Sequence, residues 1–315
     1  MNPAPTMVSL VEEYRQARRQ MGFALAIAGQ QLLAFARFAD QTGHRGPVTL
    51  DLAVRWAQSA PSHKPLTAAR RLEVLRPFAQ YRSQFEAGAE RLPSRLFGSA
   101  HHRLVPHIYI EAEIASLLQA ARELAPIGSL RPLTYETLCG LLAATGLRLS
   151  EALHLLLSDV EIDRGLLTVR QTKFCKSRLV PLPATSVAAL REYQEARLNR
   201  PSSFLNPTFF VSNGGQPLLS RTVHSTFEKL RRQLGWVARG DHPYPRLHDL
   251  RHTFLCRGLL RSYQQKQRID NVIGALSTYV GHAKVSDTYG YLTAIPELMA
   301  VAVQRFAEFA EGAAQ

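Results

Sequence analysis

The stretch GLLTVRQTKFCKSRLVPLP, residues 165–183, reads as two short β runs around a polar turn. Residues 166–170 and 178–182 are rich in Leu and Val, and the segment between them has the polarity of a hairpin tip. The chain on either side is patterned for helices, so this hairpin decides the class. It predicts a mainly α protein with a small antiparallel β-sheet in its second half.

Residues 111–124, 132–144 and 150–157 read as helices before the hairpin, and 186–198 as one after it. A further short strand is expected at 209–211, closed by Asn213-Gly214-Gly215. Helices then resume at 221–234, 247–260, 270–280, 286–292 and 297–310. The first hundred residues differ, showing four helical segments and no β run. The last of these, 66–85, is apolar at Leu72, Leu75, Phe78 and Tyr81, and carries Arg70, Arg71, Arg76 and Arg82 on its other side. Pro77 within it is expected to cause a kink. Between the halves, RLPSRLFGSAHHRLVPH (91–107) has prolines, a His pair and arginines, with no sustained period. The expected organisation is therefore a helical domain over 1–95, a basic linker over 96–107, and a second domain over 108–315 ending in an amphipathic helix at 296–311.

A length of 315 residues suits two cores rather than one. No run of eighteen apolar residues exists to span a membrane, and the start lacks the apolar core of a secretory signal, so a cytoplasmic protein is expected. Cys139, Cys175 and Cys256 have neither disulfide nor metal-ligand spacing, and read as reduced, mostly buried thiols. The formal net charge is +13, with a pI near 10.1. Residues 1–107 carry +7 of it (14 basic, 7 acidic), so the excess is not held in a tail. Such an excess, mostly Arg, favours a polyanionic partner.

Four stretches hold the chemistry. ATGLRLSEALHL (144–155) places Arg148 just past Gly146, with Glu151 one turn on; His154 reads as a core histidine on the apolar face. The hairpin turn offers Lys173, Lys176 and Arg178. RLHDLRHTF (246–254) sets His248 and Arg251 on one helical face, with His252 elsewhere. VGHAKVSDTYGYL (280–292) brings His282, Tyr289 and Tyr291, the two tyrosines roughly 200° apart around a helix. Carboxylates near these motifs are few and scattered, unlike a site that holds Mg²⁺, and no phosphate-cradling Gly-rich loop is present. Two arginines can instead clamp the non-bridging oxygens of a phosphodiester, leaving a tyrosine to attack phosphorus, with lysine and histidine to move protons.

Taken in this order, the motifs resemble the tyrosine recombinases, the phage-integrase class of site-specific DNA recombinases, over about residues 140–292. The segment T-Y-x-Y-L followed by P-E-L is similar to that of mobile-element integrases. The resemblance implies a two-domain clamp around double-stranded DNA, acting without cofactor or metal as a homotetramer, with a dimer at each site. Arg148 and Arg251 would clamp the phosphate, and Tyr291, at the family's nine-residue offset from His282, would be the nucleophile. Tyr289 would be a packing residue. His248 would accept or donate a proton, and His282 would hydrogen-bond the phosphate. Lys173 aligns with the hairpin general acid and Lys176 is the runner-up, because the usual G-K-G-x-K turn is here T-K-F-C-K. Glu151 and His252 would be supporting residues, while Arg70, Arg71, Arg95, Arg103 and Lys176 would meet DNA. The terminal helix would dock on a neighbouring protomer, accessory or companion recombinases could take part, and the protein would sit with the nucleoid. A type IB topoisomerase or telomere resolvase shares this chemistry, and a catalytically inactive DNA-binding protein would share the fold.

Overall fold

A computed structural model describes residues 5–62, 64–86, 88–101, 104–170, 177–201, 206–265, 267–282, 284–289 and 303. The chain divides into two compact units, 1–103 and 104–315.

The first unit is built on α1 (Met7–Gln20), α2 (Ala26–Gln41), α3 (Leu50–Gln58) and α4 (Pro65–Arg82). Thr6 and Thr49 cap α1 and α3 by accepting hydrogen bonds from Ser9 N and Leu52 N. The inward stripes place Val11, Phe35, Leu52, Leu75 and Phe78 in one core at 0% exposure. There Phe35 meets Trp56 edge-to-face at 5.3 Å, and Tyr14 meets Phe78 likewise at 5.5 Å. Pro77 does not end α4, which runs on to Arg82. The segment expected to be a patternless linker is divided between the units. Leu92 and Phe97 pack into the first, and His101 Nε2 lies 2.8 Å from Glu73 Oε1. Val105, by contrast, donates its N–H to Asp241 Oδ2 at 2.8 Å within the second unit, where His107 is fully buried.

The second unit is mostly helical around a three-stranded antiparallel sheet. It contains α5 (Glu111–Arg122), α6 (Arg131–Thr145), α7 (Leu149–Leu153), β1 (Val160–Glu161), β2 (Leu166–Val169) and β3 (Arg178–Pro181). Then follow α8 (Ala184–Leu198), α9 (Ser220–Gln233), α10 (Asp249–Gln264), α11 (Ile269–Val280) and α12 (Ser286–Tyr289). Within the sheet Leu167 faces Val180, and Val169 faces Arg178 where the described part of the hairpin ends. The buried face of α6, with Leu138, Cys139, Leu141 and Leu142, forms the centre of the core. Burial pushes the Cys139 thiol up to about 12, so it stays a protonated packing group.

Two expectations fail here for local reasons. Residues 209–211 are not a ladder strand; isolated bridges join Leu156 to Thr208 and Val211 to Pro217. Instead Arg197 Nη1 donates to the carbonyls of Thr208 (2.6 Å) and Phe209 (2.8 Å), and Val211 N donates to Tyr193 Oη. His154 is exposed rather than buried, because α7 stops at Leu153 and the helical period does not carry on to it.

Candidate active site

Three polar segments of the second unit meet where α6 and α11 end. Both helices stop at a left-handed glycine, Gly146 at φ +61° and Gly281 at φ +68°. Carbonyl groups at such ends lack intrahelical donors and carry the negative end of the helix dipole. Arginines supply the donors. Arg251 Nη1 donates to Gly146 O at 2.7 Å and Nη2 to Val280 O at 2.8 Å; Arg148 Nη2 donates to Gly281 O at 3.1 Å. A Cβ on Gly146 would lie 2.5 Å from Phe254 Cδ1, so glycine also admits the aromatic ring beneath this turn.

Arg148 precedes α7, and Glu151 sits at the third helical position. Glu151 accepts from Arg148 N at 3.0 Å and from Arg148 Nη1 at 2.8 Å. On its other side it accepts a bidentate pair from Arg178, at 3.1 and 2.9 Å, and Arg178 Nε donates to Tyr279 O at 2.8 Å. Burial alone would raise the Glu151 pKa, but the hydrogen bonds and charges of Arg178 and Arg148 outweigh it and hold the carboxyl below its usual range. Arg148 keeps 31% of its side-chain surface, whereas Arg251 is 2% exposed, so Arg148 lies at the surface of the site and Arg251 forms its floor.

His248 stands immediately before α10, one turn from Arg251, and its ring meets His252 edge-to-face at 4.8 Å. Asp249 is fully buried and accepts from Arg246 N and Nη2 at 2.8 and 2.6 Å, which pins the start of α10. Although His248 reaches the surface, desolvation within the site pushes it down to about 4, with help from Arg251, Arg246 and Arg148. His252 is pushed to about 3, first by burial and then by His248, Arg246 and Arg251. Both rings are neutral near pH 7.

His282 follows Gly281, and its Nδ1 lies 2.7 Å from the hydroxyl of Thr288, which is fully buried in α12. Tyr289 does not pack into a core. It is 45% exposed and donates from its hydroxyl to Asp270 Oδ1 at 3.3 Å, linking α12 to α11 at the surface.

Arg148, Glu151, His248, Arg251, His252 and His282 are therefore gathered around one set of helix ends. Lys173, Lys176, Tyr291, Arg103 and, apart from residue 303, the helix expected at 296–311 lie outside the described residues. In the first unit Arg70 and Arg95 are exposed. Arg71 is held within its own unit, donating to Trp56 O at 2.7 Å and lying 5.0 Å from the Trp56 ring centroid. Two residues of the network were passed over in the sequence, Thr288 and the role of Arg178. The second had a signal. Alternation in β3 puts Arg178 on the same face as buried Val180, and an inward Arg needs a carboxylate.

Among the described residues around these ends, Arg148, Arg178, Arg246 and Arg251 are paired with two carboxylates, Glu151 and Asp249, both already saturated by guanidinium groups. Surplus positive charge beside two neutral imidazoles makes an anion site with proton acceptors at hand.

The profile of the phage integrase family matches residues 110–295. The integrase/recombinase y4rB of Sinorhizobium fredii is 40% identical over 306 residues, covering 95% of this chain and 96% of that protein. Tyrosine recombinase XerC of Lacticaseibacillus casei is 30% identical over 71% of this chain and 70% of its own. Among solved structures, the Tn1549 transposon integrase in complex with transposon right-end DNA aligns at a TM-score of 0.69 with 17% identity, over 96% of this chain and 100% of that one. The XerH recombinase bound to its difH substrate aligns at 0.65, with 17% identity over 89% and 78%. Those two show the fold, and the sequence matches carry the assignment: the chain belongs to the phage integrase family and is a tyrosine recombinase.

Proposed function

We propose that this recombinase cuts and rejoins double-stranded DNA at defined sites through a 3′-phosphotyrosyl intermediate. The observation that carries the reading is the pair Arg148 and Arg251, anchored on the carbonyl ends of α6 and α11 and flanked by His248 and His282. A phosphodiester fits a site of this charge. Its non-bridging oxygens take the place of an ordinary counter-ion, and charge building up on them in the transition state is met by fixed donors.

The phenolic oxygen of Tyr291 attacks phosphorus and forms the new O–P bond, while the bond from phosphorus to the 5′ oxygen breaks. His248, neutral in the resting protein, accepts the phenolic proton. Lys173, with Lys176 as runner-up, protonates the departing 5′ oxygen. His282, oriented by Thr288, donates to the phosphate. A 5′ hydroxyl of a partner strand then reverses the steps, and the phosphotyrosyl bond conserves the energy of the phosphodiester. Two duplexes are joined by a homotetramer, a dimer per site, with the segment 296–311 passing to a neighbouring protomer. The first unit, through Arg70 and Arg95, grips the duplex with the second. The Tn1549 integrase and XerH were both solved on DNA, which supports DNA as the partner. The setting is the cytoplasm, on the nucleoid; no described helix is long and apolar enough to cross a membrane.

The test uses suicide duplexes made from DNA flanking the gene, nicked so that cleavage releases a short oligonucleotide and traps the adduct. Wild type should form a covalent protein–DNA species in EDTA. Tyr291→Phe should abolish it and Tyr289→Phe should spare it. DNA binding without adduct in the wild type would overturn the reading in favour of a non-catalytic DNA-binding protein.

A further inference from the structure

We infer that Arg178 is a positioning residue whose task is to keep Glu151 from neutralising Arg148. The inference rests on the reading of Arg148 as part of a phosphate clamp.

Glu151 is a buried carboxylate, its side chain 7% exposed, between two guanidinium groups. Arg178 holds both of its oxygens, whereas the Arg148 side chain reaches one. The two arginines differ in exposure, 12% for Arg178 against 31% for Arg148. A bidentate pair between the inner arginine and the carboxylate balances the buried charge locally. The outer arginine is then left with its positive charge directed at the surface of the site, where an anion can collect it. Remove Arg178 and the same carboxylate must find its full compensation in Arg148. That turns the clamp arginine into the partner of a buried acid and takes its charge from the phosphate.

The setting fixes Arg178 in that task. Its Nε donates to Tyr279 O, and its guanidinium lies over Gly281, where a Cβ would come within 2.7 Å of Nη1. Gly281 O is in turn an acceptor for Arg148. The two arginines therefore share one acid and one glycine, and a side-chain methyl at Gly281 would displace the inner one. Residue 178 is paired with Val169 at the end of the β2–β3 ladder, so its backbone is held by the sheet and not by a loop. Lysine could supply the charge here but not the fork, having no planar pair of donors plus a third at Nε.

The experiment compares Arg178→Met, Arg178→Lys and the double variant Arg178→Met/Glu151→Gln with the wild-type full chain. Each is read by first-turnover adduct formation on the suicide duplex that the wild type cleaves, by affinity for that duplex, and by thermal melting. Arg178→Met should slow adduct formation by about 10²-fold, the scale on which misplacement of a reacting-group contact acts, and change DNA affinity by far less. Removing the acid as well should recover at least about tenfold, because Arg148 regains its charge; a residue that only held the fold together would give no such recovery. Arg178→Lys, which keeps the counter-charge, should lie within about tenfold of wild type. Unchanged cleavage in Arg178→Met overturns the inference, as does a folded double variant no faster than Arg178→Met. If Arg178→Met does not fold, a folded double variant or Arg178→Lys slowed as much as 10²-fold overturns it. A wild type that forms no adduct overturns the recombinase reading itself, so the two failures are distinct.

Discussion

Single side chains set ring orientations in this site. Thr288 is the clearest case: it is fully buried and its hydroxyl meets His282 Nδ1 at 2.7 Å, which fixes the orientation of the ring. Thr288→Val keeps the shape and deletes the partner. Loss of one such hydrogen bond is worth about 0.5–1.5 kcal/mol, or roughly two- to tenfold in adduct formation. Thr288→Ser should restore the rate, and equal rates in all three proteins would show that the contact orients nothing. His248 and His252 give a second outcome through stability. Their folded pKa values lie at about 4 and about 3, below the ordinary 6.5, so between these limits the unfolded chain binds more protons than the folded one. Stability from these rings is therefore present above pH 6.5 and lost as the pH falls toward 4. Glu151, also depressed, works in the same direction at lower pH. Melting temperature should drop between pH 7 and pH 4.5, and His248→Gln should lessen that drop across the whole window.

Helix ends carry the architecture of the site, and they are also where sequence reading succeeds and fails. Gly146→Ala should cost more than Gly43→Ala. Both positions have positive φ, 61° and 72°, but an added Cβ meets Phe254 at 2.5 Å in the first and nothing within 4 Å in the second. A strained backbone alone costs about 1–3 kcal/mol, so the difference between the two melting temperatures isolates the clash. Adduct formation should fall only in Gly146→Ala, which moves the acceptor of Arg251. The long helices were legible because their apolar stripes recur over three or four turns. The β2–β3 hairpin was legible because its two runs flank one polar turn. The two-residue β1 has no period to read, and α7 ends after five residues, which is how His154 came to be placed on a face that does not exist. Arg148, His248, Arg251 and His282 were legible as a constellation through motif order. Their acceptors were not, since Gly146 O, Val280 O and Gly281 O are backbone atoms that any residue would supply. Only the two glycines hinted that the helices stop there.

At the scale of the whole molecule the governing quantity is charge. The first unit carries +7 and the second +6, so neither alone accounts for the pull on a polyanion. Neutralising phosphates releases counter-ions, and a protein making 6–10 such contacts loses about 10³–10⁵ in affinity between 50 and 200 mM salt. The slope of log affinity against log salt should then be steep, with a share belonging to each unit. Arg70 and Arg71 are adjacent in α4 and separate the two uses of an arginine. Arg70 is exposed, and its Nε makes a long 3.4 Å contact to Ala100 O. Arg71 is spent on Trp56 O, Ser59 Oγ and the Trp56 ring, and burial lowers its pKa. Arg70→Gln should reduce the salt slope by about 1 and weaken binding to all DNA sequences alike, with melting unchanged. Arg71→Gln should leave the slope alone and lower the melting temperature by a few degrees, since its lost hydrogen bonds and ring contact are worth about 1–2 kcal/mol together. Titrating both variants with a fluorescent duplex at four salt concentrations, beside their melts, decides the matter. If Arg71→Gln changed the slope and Arg70→Gln did not, α4 would present its other face to DNA.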